Sequence, residues 1–333
     1  MAISRIIGRS ARLGIVALLV AGCGGAEPDG PIELVFGHVS APGSLFAESA
    51  EEFARRANER LGDRATVIVY GSSQLGTDEV LLQKLLLGTV DFALPSSILS
   101  SMIPEFGLFE MPYLIRDREH MQRIEADIFW PELVPLMNAR GYGVLAVWEN
   151  GFRHVSNNAR PIRTPADLEG IKLRTPRGLW RVRMFQAFGA NPTPMAFSEV
   201  FVALQTGVMD GQENPLPHTV SSKFHEVQPY LSLTGHVYSP AYVTVSAERW
   251  SRLADDVRQI LEETARETQA YVYATAQRLE TEALAVLADA NIAVNVPDVE
   301  RFSAASQAIY EEFGESVAGG QAILDHAFSL ASD

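Results

Sequence analysis

The sequence predicts two α/β domains crossed by one long helix, and three observations carry that prediction. Strand-like and helix-like patterns alternate from Ile32 onward, which argues for layered α/β architecture. The chain has 333 residues, 47% hydrophobic and 20% charged, enough to fill two cores and too apolar for a disordered chain. Between Pro240 and Pro297 there is neither glycine nor proline, and residues 255–289 are helical in pattern throughout. An unbroken helix of that length extends about 50 Å, longer than one small domain is wide, so it has to lie across two. A dimerising coiled coil is the alternative, but Val257, Ile260, Leu261, Tyr271, Val272, Leu279, Ala283, Val286 and Leu287 do not hold a strict heptad.

The elements follow in order. Arg5, Arg9 and Arg12 precede a short apolar run at residues 13–21, too short for a stable membrane span, so residues 1–22 read as an export signal. Val20-Ala21-Gly22-Cys23 has the form of a bacterial lipoprotein cleavage site, with Cys23 as the lipid-bearing residue and the chain anchored to a membrane. An ordinary signal peptide cut near Ala21 or Ala26 is the alternative. Cys23 is the only cysteine, which excludes an internal disulfide. Residues 23–31 read as a tether. Residues 32–38 and 66–70 read as strands, and 43–61 as an amphipathic helix with Phe46, Ala50, Phe53, Ala57 and Leu61 on one face. A helix over 78–87 begins with acids in its first turn, and a strand follows at 90–94.

Charge bounds the partners. The formal net charge is −14 for the whole chain; without residues 1–22 it becomes −17, from 27 − 3 = 24 bases against 41 acids. An acidic chain with no basic run argues against nucleic acid as a partner. It leaves a local cationic pocket open, because a pocket's chemistry follows its own groups.

The most informative stretch is residues 191–215, NPTPMAFSEVFVALQTGVMDGQENP. Met195, Phe197, Val200, Phe201 and Leu204 recur at helical spacing, and Gly211 then punctuates a turn crowded by Asp210, Gln212, Glu213 and Asn214. So apolar an approach to so polar a turn suits the wall of a polar pocket. With KLRTP at 172–176, NGFR at 150–153, SSQLG at 72–76, GTVDFAL at 88–94 and FEMPYL at 109–114, this stretch resembles the extracytoplasmic solute receptors of tripartite ATP-independent periplasmic (TRAP) transporters, the DctP family. The resemblance runs from about Leu34 to beyond Pro240 and continues more weakly to the C-terminus. The long motif MAFSEV-(x)5-TG-(x)2-DGQENP is highly specific; each shorter one alone is weak.

The resemblance implies a type II periplasmic-binding-protein fold with two α/β domains about a hinge. Residues 32–150 with 240–275 would form domain I, and 151–239 with 276–333 domain II. It also implies a periplasmic receptor that carries a small organic acid, a C4-dicarboxylate or a sugar acid, to membrane-embedded permease subunits. No cofactor is required for that cycle.

Arg174, at the end of the strand-like run 170–173, becomes on this resemblance the principal carboxylate clamp: a guanidinium is planar, forked and permanently charged. Pairing with a protein acid is the alternative from sequence alone. The resemblance gives Arg153 a second contact to the acid end, with a surface arginine as the alternative. Asn214 matches a position that bonds the ligand carboxylate. Phe197 would pack on the ligand's apolar side or simply fill core. Arg177 and Ser96 stand where the sialic-acid receptors have asparagine and glutamate, which argues against an amino-sugar acid. Arg177 then adds a cation for a second acidic or hydroxyl-rich end, unless it points to solvent. Ser96, His38 and residues 238–242 are candidates for the opposite wall.

Enzyme signatures are missing. There is no GxSxG, no phosphate-binding GxxxxGK[ST] and no dinucleotide GxGxxG after the first strand, and the seven histidines never fall at zinc-ligand spacing. Asp210 and Glu213 suit bracing of the loop, and orientation of Asn214 and Arg174, better than glycoside chemistry. A sensory ligand-binding protein for a membrane kinase, or a carboxylate-processing enzyme, are the alternative functions.

Overall fold

The computed structural model describes residues 31–331; the expected export signal, Cys23 and nearly all of the expected tether lie outside the described residues. The strands are β1 (Ile32–Gly37), β2 (Ala65–Tyr70), β3 (Phe92–Ala93), β4 (Tyr142–Asn157), β5 (Lys172–Thr175), β6 (Asn191–Pro194), β7 (Gly211–Pro215), β8 (Tyr230–Ser232), β9 (Tyr238–Ser246) and β10 (Ala293–Asn295). They run in the order β2-β1-β3-β9-β4-β7-β5-β6, with β8 bridging β4 and β10. β1 pairs in parallel with β2 and β3, and β5 in parallel with β6 and β7. Each parallel group heads its own α/β domain, as the alternation in the sequence predicts.

In the first domain the helix Leu45–Leu61 starts at Ser44, whose hydroxyl accepts from the Ala47 amide at 3.2 Å. It buries the expected face, Phe46, Ala50, Phe53, Ala57 and Leu61. Phe53 meets Phe36, Phe92 and Trp148 with ring centroids 5.6–6.0 Å apart, mostly edge to face.

Two elements join the domains. β4 pairs with β9 from Tyr142 to Phe152, then with β7 from Arg153 and with β8 from Val155. The expected boundary at residues 150/151 therefore falls inside one continuous strand. A register shift occurs there, between Glu149 and Gly151, and Gly151 holds φ +118°, a value that favours glycine. The second element is the long helix, Asp255–Asp289, 35 residues, with the predicted limits. Val257, Leu261, Ala265, Val272, Ala276 and Leu279 pack into the first domain's core, whereas Ala283 and Leu287 join Leu216 and Leu231 of the second. Trp148 Nε1 donates to the Ala265 carbonyl at 2.9 Å and Gln269 Nε2 to the Val147 carbonyl at 2.7 Å, so helix and β4 are bonded just before the bulge.

One expectation changes. Residues 211–215 are not a turn but β7, buried along their whole length between β4 and β5. Its polar side chains are tolerated because neighbours on both sides bond them. Among the described residues no helix is long and apolar enough to cross a membrane.

Candidate functional site

A cavity lies between the domains where parallel strands end. Val39 and Ser40 follow β1, Ser96 to Ile98 follow β3, Pro176 and Arg177 follow β5, and Met195 to Phe197 follow β6; all line it. Loops at the carboxyl ends of such strands are where α/β sheets place ligands. The opposite contributions are Asp78 and Glu79 from the start of the helix Asp78–Leu86, Asn150 and Arg153 from β4, Asn214 from β7 and His218 from the helix Leu216–Ser221. The volume, about 60 Å³, is far below the 300–1,000 Å³ typical of drug-sized sites, so it suits a small molecule.

Arg174 is buried at 3% exposure. Its Nε and Nη2 donate to the Met195 carbonyl at 3.0 and 2.6 Å, and its guanidinium carbon sits 6.0 Å from the Phe197 ring centre. Among the described residues no carboxylate lies within 4.0 Å of it, and its Nη1 makes no hydrogen bond. Burial pulls its pKa from 12.5 to about 9, partly offset by Glu213, so at neutral pH it remains a cation. Asp78 is a second, weaker counter-charge after Glu213: burial, and then Glu79, push its own pKa up to about 7, while Arg174 pulls the other way.

Arg153 is equally buried, but its charge is matched. It grips Glu213 through Nε to Oε2 at 2.5 Å and Nη2 to Oε1 at 3.0 Å, and Nη2 also reaches the Glu213 carbonyl and Asn214 Oδ1. Arg181 Nη1 donates to the same Glu213 Oε2 at 2.7 Å, and its Nη2 pairs with Glu110 Oε2 at 2.8 Å. His236 Nε2 approaches Glu213 Oε2 at 3.0 Å. Burial alone would raise the Glu213 pKa; Arg153 and Arg181 more than reverse this and hold it well below the usual carboxylate range. Glu213 thus braces Arg153 and Arg181, with no direct bond to Arg174. Asp210 instead serves Lys172, accepting from its amide at 2.9 Å.

Of the seven predicted ligand positions, Arg174, Arg153, Asn214, Phe197, Arg177 and Ser96 all line the cavity; His38 does not. The His38 ring is buried against Gly71, where an added Cβ would meet it at 2.7 Å. Asn214 donates to Gln212 Oε1 at 2.5 Å, leaving one amide hydrogen. Arg177 reaches the rim, where its Nε pairs with Glu79 Oε1 at 2.8 Å and its side chain is 56% exposed. Ser96 Oγ donates to the Pro240 carbonyl at 2.6 Å and accepts from Asn150 Nδ2 at 3.0 Å. The approach here is close: a Cβ at Gly178, whose φ is +155°, would sit 2.8 Å from Ser100 Oγ.

Sequence reasoning missed Asp78, Asn150, His218 and the Arg181–Glu110 pair. For Arg181 a signal existed: it lies in LWRVRMF among apolar neighbours, where an arginine needs a buried partner. Nothing local marked His218.

Comparison with known proteins agrees with this fold. Residues 36–316 match the model for bacterial extracellular solute-binding proteins, family 7, or DctP. The chain is 33% identical over 293 residues to the sialic acid-binding periplasmic protein SiaP of Vibrio cholerae, covering 87% of this chain and 90% of that one. It is 34% identical over 286 residues to the C4-dicarboxylate-binding periplasmic protein DctP of Rhodobacter capsulatus, covering 85% and 84%. In structure it superposes with a TM-score of 0.87 on the sugar acid binding protein of Advenella mimigardefordensis in complex with galactonate, at 31% identity over 90% of this chain and 99% of that one. The chain belongs to the family 7 bacterial extracellular solute-binding proteins, the DctP family of TRAP solute receptors.

Proposed function

We propose that this receptor captures a small organic acid by pairing its carboxylate with Arg174, and that it delivers the acid to membrane-embedded TRAP permease subunits. The observation that carries the reading is the buried Arg174 guanidinium, which has no carboxylate within 4.0 Å among the described residues. A desolvated, unmatched cation is costly to keep, and a bidentate ligand carboxylate relieves that cost. Arg153 Nη1, which makes no hydrogen bond among the described residues, and the remaining amide hydrogen of Asn214 are available to the same carboxylate. Phe197 covers the ligand's apolar side, and Ser96 with Asn150 faces it from the other domain. This leaves His38 without a ligand contact.

Sialic acid, C4-dicarboxylates and galactonate, the ligands of the relatives above, all carry a carboxylate. That shared group is the one a forked guanidinium such as Arg174 grips, which supports the reading. Ligand contacts from both domains exist together only when the cleft is closed, so binding shifts the population toward the closed form. The parallel strands led by β1 would move against those led by β5, about the bulge at Gly151.

Calorimetry of wild type and Arg174→Ala against C4-dicarboxylates and sugar acids tests the clamp. The loss expected is on the order of 2–5 kcal/mol, and Arg174→Lys should also weaken binding because it keeps the charge without the fork. Near-native affinity in Arg174→Ala removes the reading. The periplasmic receptor is further proposed to be held at the membrane through Cys23. Cys23→Ser should then release it from the membrane fraction, and a mature N-terminus other than a lipid-bearing Cys23 would refute the anchor.

A further inference from the structure

The cavity wall carries polar atoms that the protein itself leaves without partners. His218 is 3% exposed and neither ring nitrogen is hydrogen-bonded; Phe46 and Phe197 hold the ring edge to face at 5.0 and 5.9 Å. Asn150 Oδ1 and Ser97 Oγ are likewise buried without partners. The orientation of the Asn150 amide follows from its neighbours. Ser96 Oγ donates to the Pro240 carbonyl, so it must accept from Asn150, which fixes Nδ2 there and turns Oδ1 elsewhere. Burial, with Arg153 and His38 adding to it, pulls the His218 pKa to about 3, so the ring is neutral and offers one donor and one acceptor. Residues of the wall therefore hold two acceptors without partners, Asn150 Oδ1 and one imidazole nitrogen, together with the Ser97 hydroxyl. A carboxylate has no hydrogen to give them. A hydroxyl does.

Charge counting points the same way. Four arginines stand in or beside the cavity, 153, 174, 177 and 181, and the glutamates 79, 110 and 213 pair with three of them, so 4 − 3 leaves Arg174 without an ion pair, while Asp78, raised to about 7, adds a further partial negative charge to the same wall. One unmatched cation calls for one carboxylate. A second carboxylate would meet an already neutralised wall and leave the two acceptors unsatisfied, and unsatisfied buried groups weaken binding.

We infer that the acid taken by this cavity is a polyhydroxy monocarboxylate, and that His218, Asn150 and Ser97 read its hydroxyl groups; the inference rests on the Arg174 clamp proposed above. A site built to bond hydroxyls rejects analogues lacking them far more strongly than an apolar pocket rejects a surplus group.

The test titrates the mature protein with erythronate, threonate, succinate and butyrate, acids of one chain length. The better hydroxy acid should bind at least about 100-fold more tightly than butyrate and more tightly than succinate. His218→Phe keeps the ring packing and removes both nitrogens, and Ser97→Ala removes one hydroxyl with little change in volume. Each should reduce the ratio of hydroxy-acid to butyrate affinity, by about tenfold or more for His218→Phe. Succinate binding as tightly as the better hydroxy acid, or an unchanged ratio in both variants, overturns the inference. The clamp fails separately: Arg174→Ala that still binds these acids refutes the carboxylate reading, whereas Arg174→Ala that loses binding while the ratio stays fixed leaves the clamp standing and sinks this inference alone.

Discussion

Two buried arginines in this cleft have opposite surroundings. Arg153 at 2% exposure and Arg174 at 3% are equally cut off from water, and they come from strands separated only by β7. Arg153 lies in a closed set of charges with Glu213, Arg181 and Glu110, bonded from both domains. Arg174 has a backbone carbonyl and a phenyl ring for company. A desolvated ion is tolerable when partners satisfy it. The first set therefore has the character of architecture, and the second of a site waiting for its counter-ion. Sequence motif alone makes the two look alike.

The largest effect should come from breaking the closed set. Glu213→Gln strands the buried Arg153 guanidinium and leaves Arg181 with Glu110 alone, and should cost on the order of 3–5 kcal/mol of folding stability by chemical denaturation. Arg174→Ala should behave in the opposite way: affinity collapses as stated above, while stability changes by less than about 1 kcal/mol or improves, because no partner is stranded. If Arg174→Ala destabilises the fold as much as Glu213→Gln, the contrast between the two regions is void.

A smaller effect concerns pH. Asp78, with its pKa raised from 3.8 to about 7, shares the cavity with Arg174, Glu79 and the paired Arg177. Its folded-state pKa is raised, so the stability it contributes is fully present below pH 3.8 and is lost as pH rises through about 7. A ligand carboxylate on Arg174 meets a neutral Asp78 at low pH and a like charge above. Affinity should therefore fall as pH rises through neutrality, by at most about tenfold per pH unit for a single proton. In Asp78→Asn the profile should flatten; an unaltered slope would assign it to other groups.

The contrast also explains what the sequence disclosed. Elements with periodic apolar faces were legible: the helix Leu45–Leu61 buried the five predicted residues, and the long helix ran over the predicted limits, because no Gly or Pro interrupts it. β7 was illegible as a strand, since GQENP has no apolar alternation and is stabilised by side-chain partners far away in sequence. The site divides in the same way. Arg174, Arg153 and Asn214 sit in motifs, whereas His218 is recognisable only once Phe46, from another domain, closes over it. Pairing is likewise invisible in one dimension: nothing near Arg177 in the chain announces Glu79, about a hundred positions earlier.

That rim pair gives the smallest expected effect and the sharpest check on where the site ends. The side chains of Arg177 and Glu79 are 56% and 32% exposed, and the pair joins the loop after β5 to the helix Asp78–Leu86 of the other domain. An exposed ion pair contributes about 0.2–1 kcal/mol and is screened by salt. Arg177→Asn should therefore weaken every acid alike, by no more than about fivefold, through a less favoured closed form. The loss should disappear near 1 M salt, where the screening length is only about 3 Å. Glu79→Gln should reproduce it, because either change removes the same bond. A direct contact to a second acidic end of the ligand would look different: Arg177→Asn would then spare monocarboxylates, penalise malate by more than about tenfold, and exceed Glu79→Gln. Paired titrations of both variants with malate, glucuronate and a monocarboxylate, at low and high salt, separate a latch at the mouth of the cleft from a second clamp inside it.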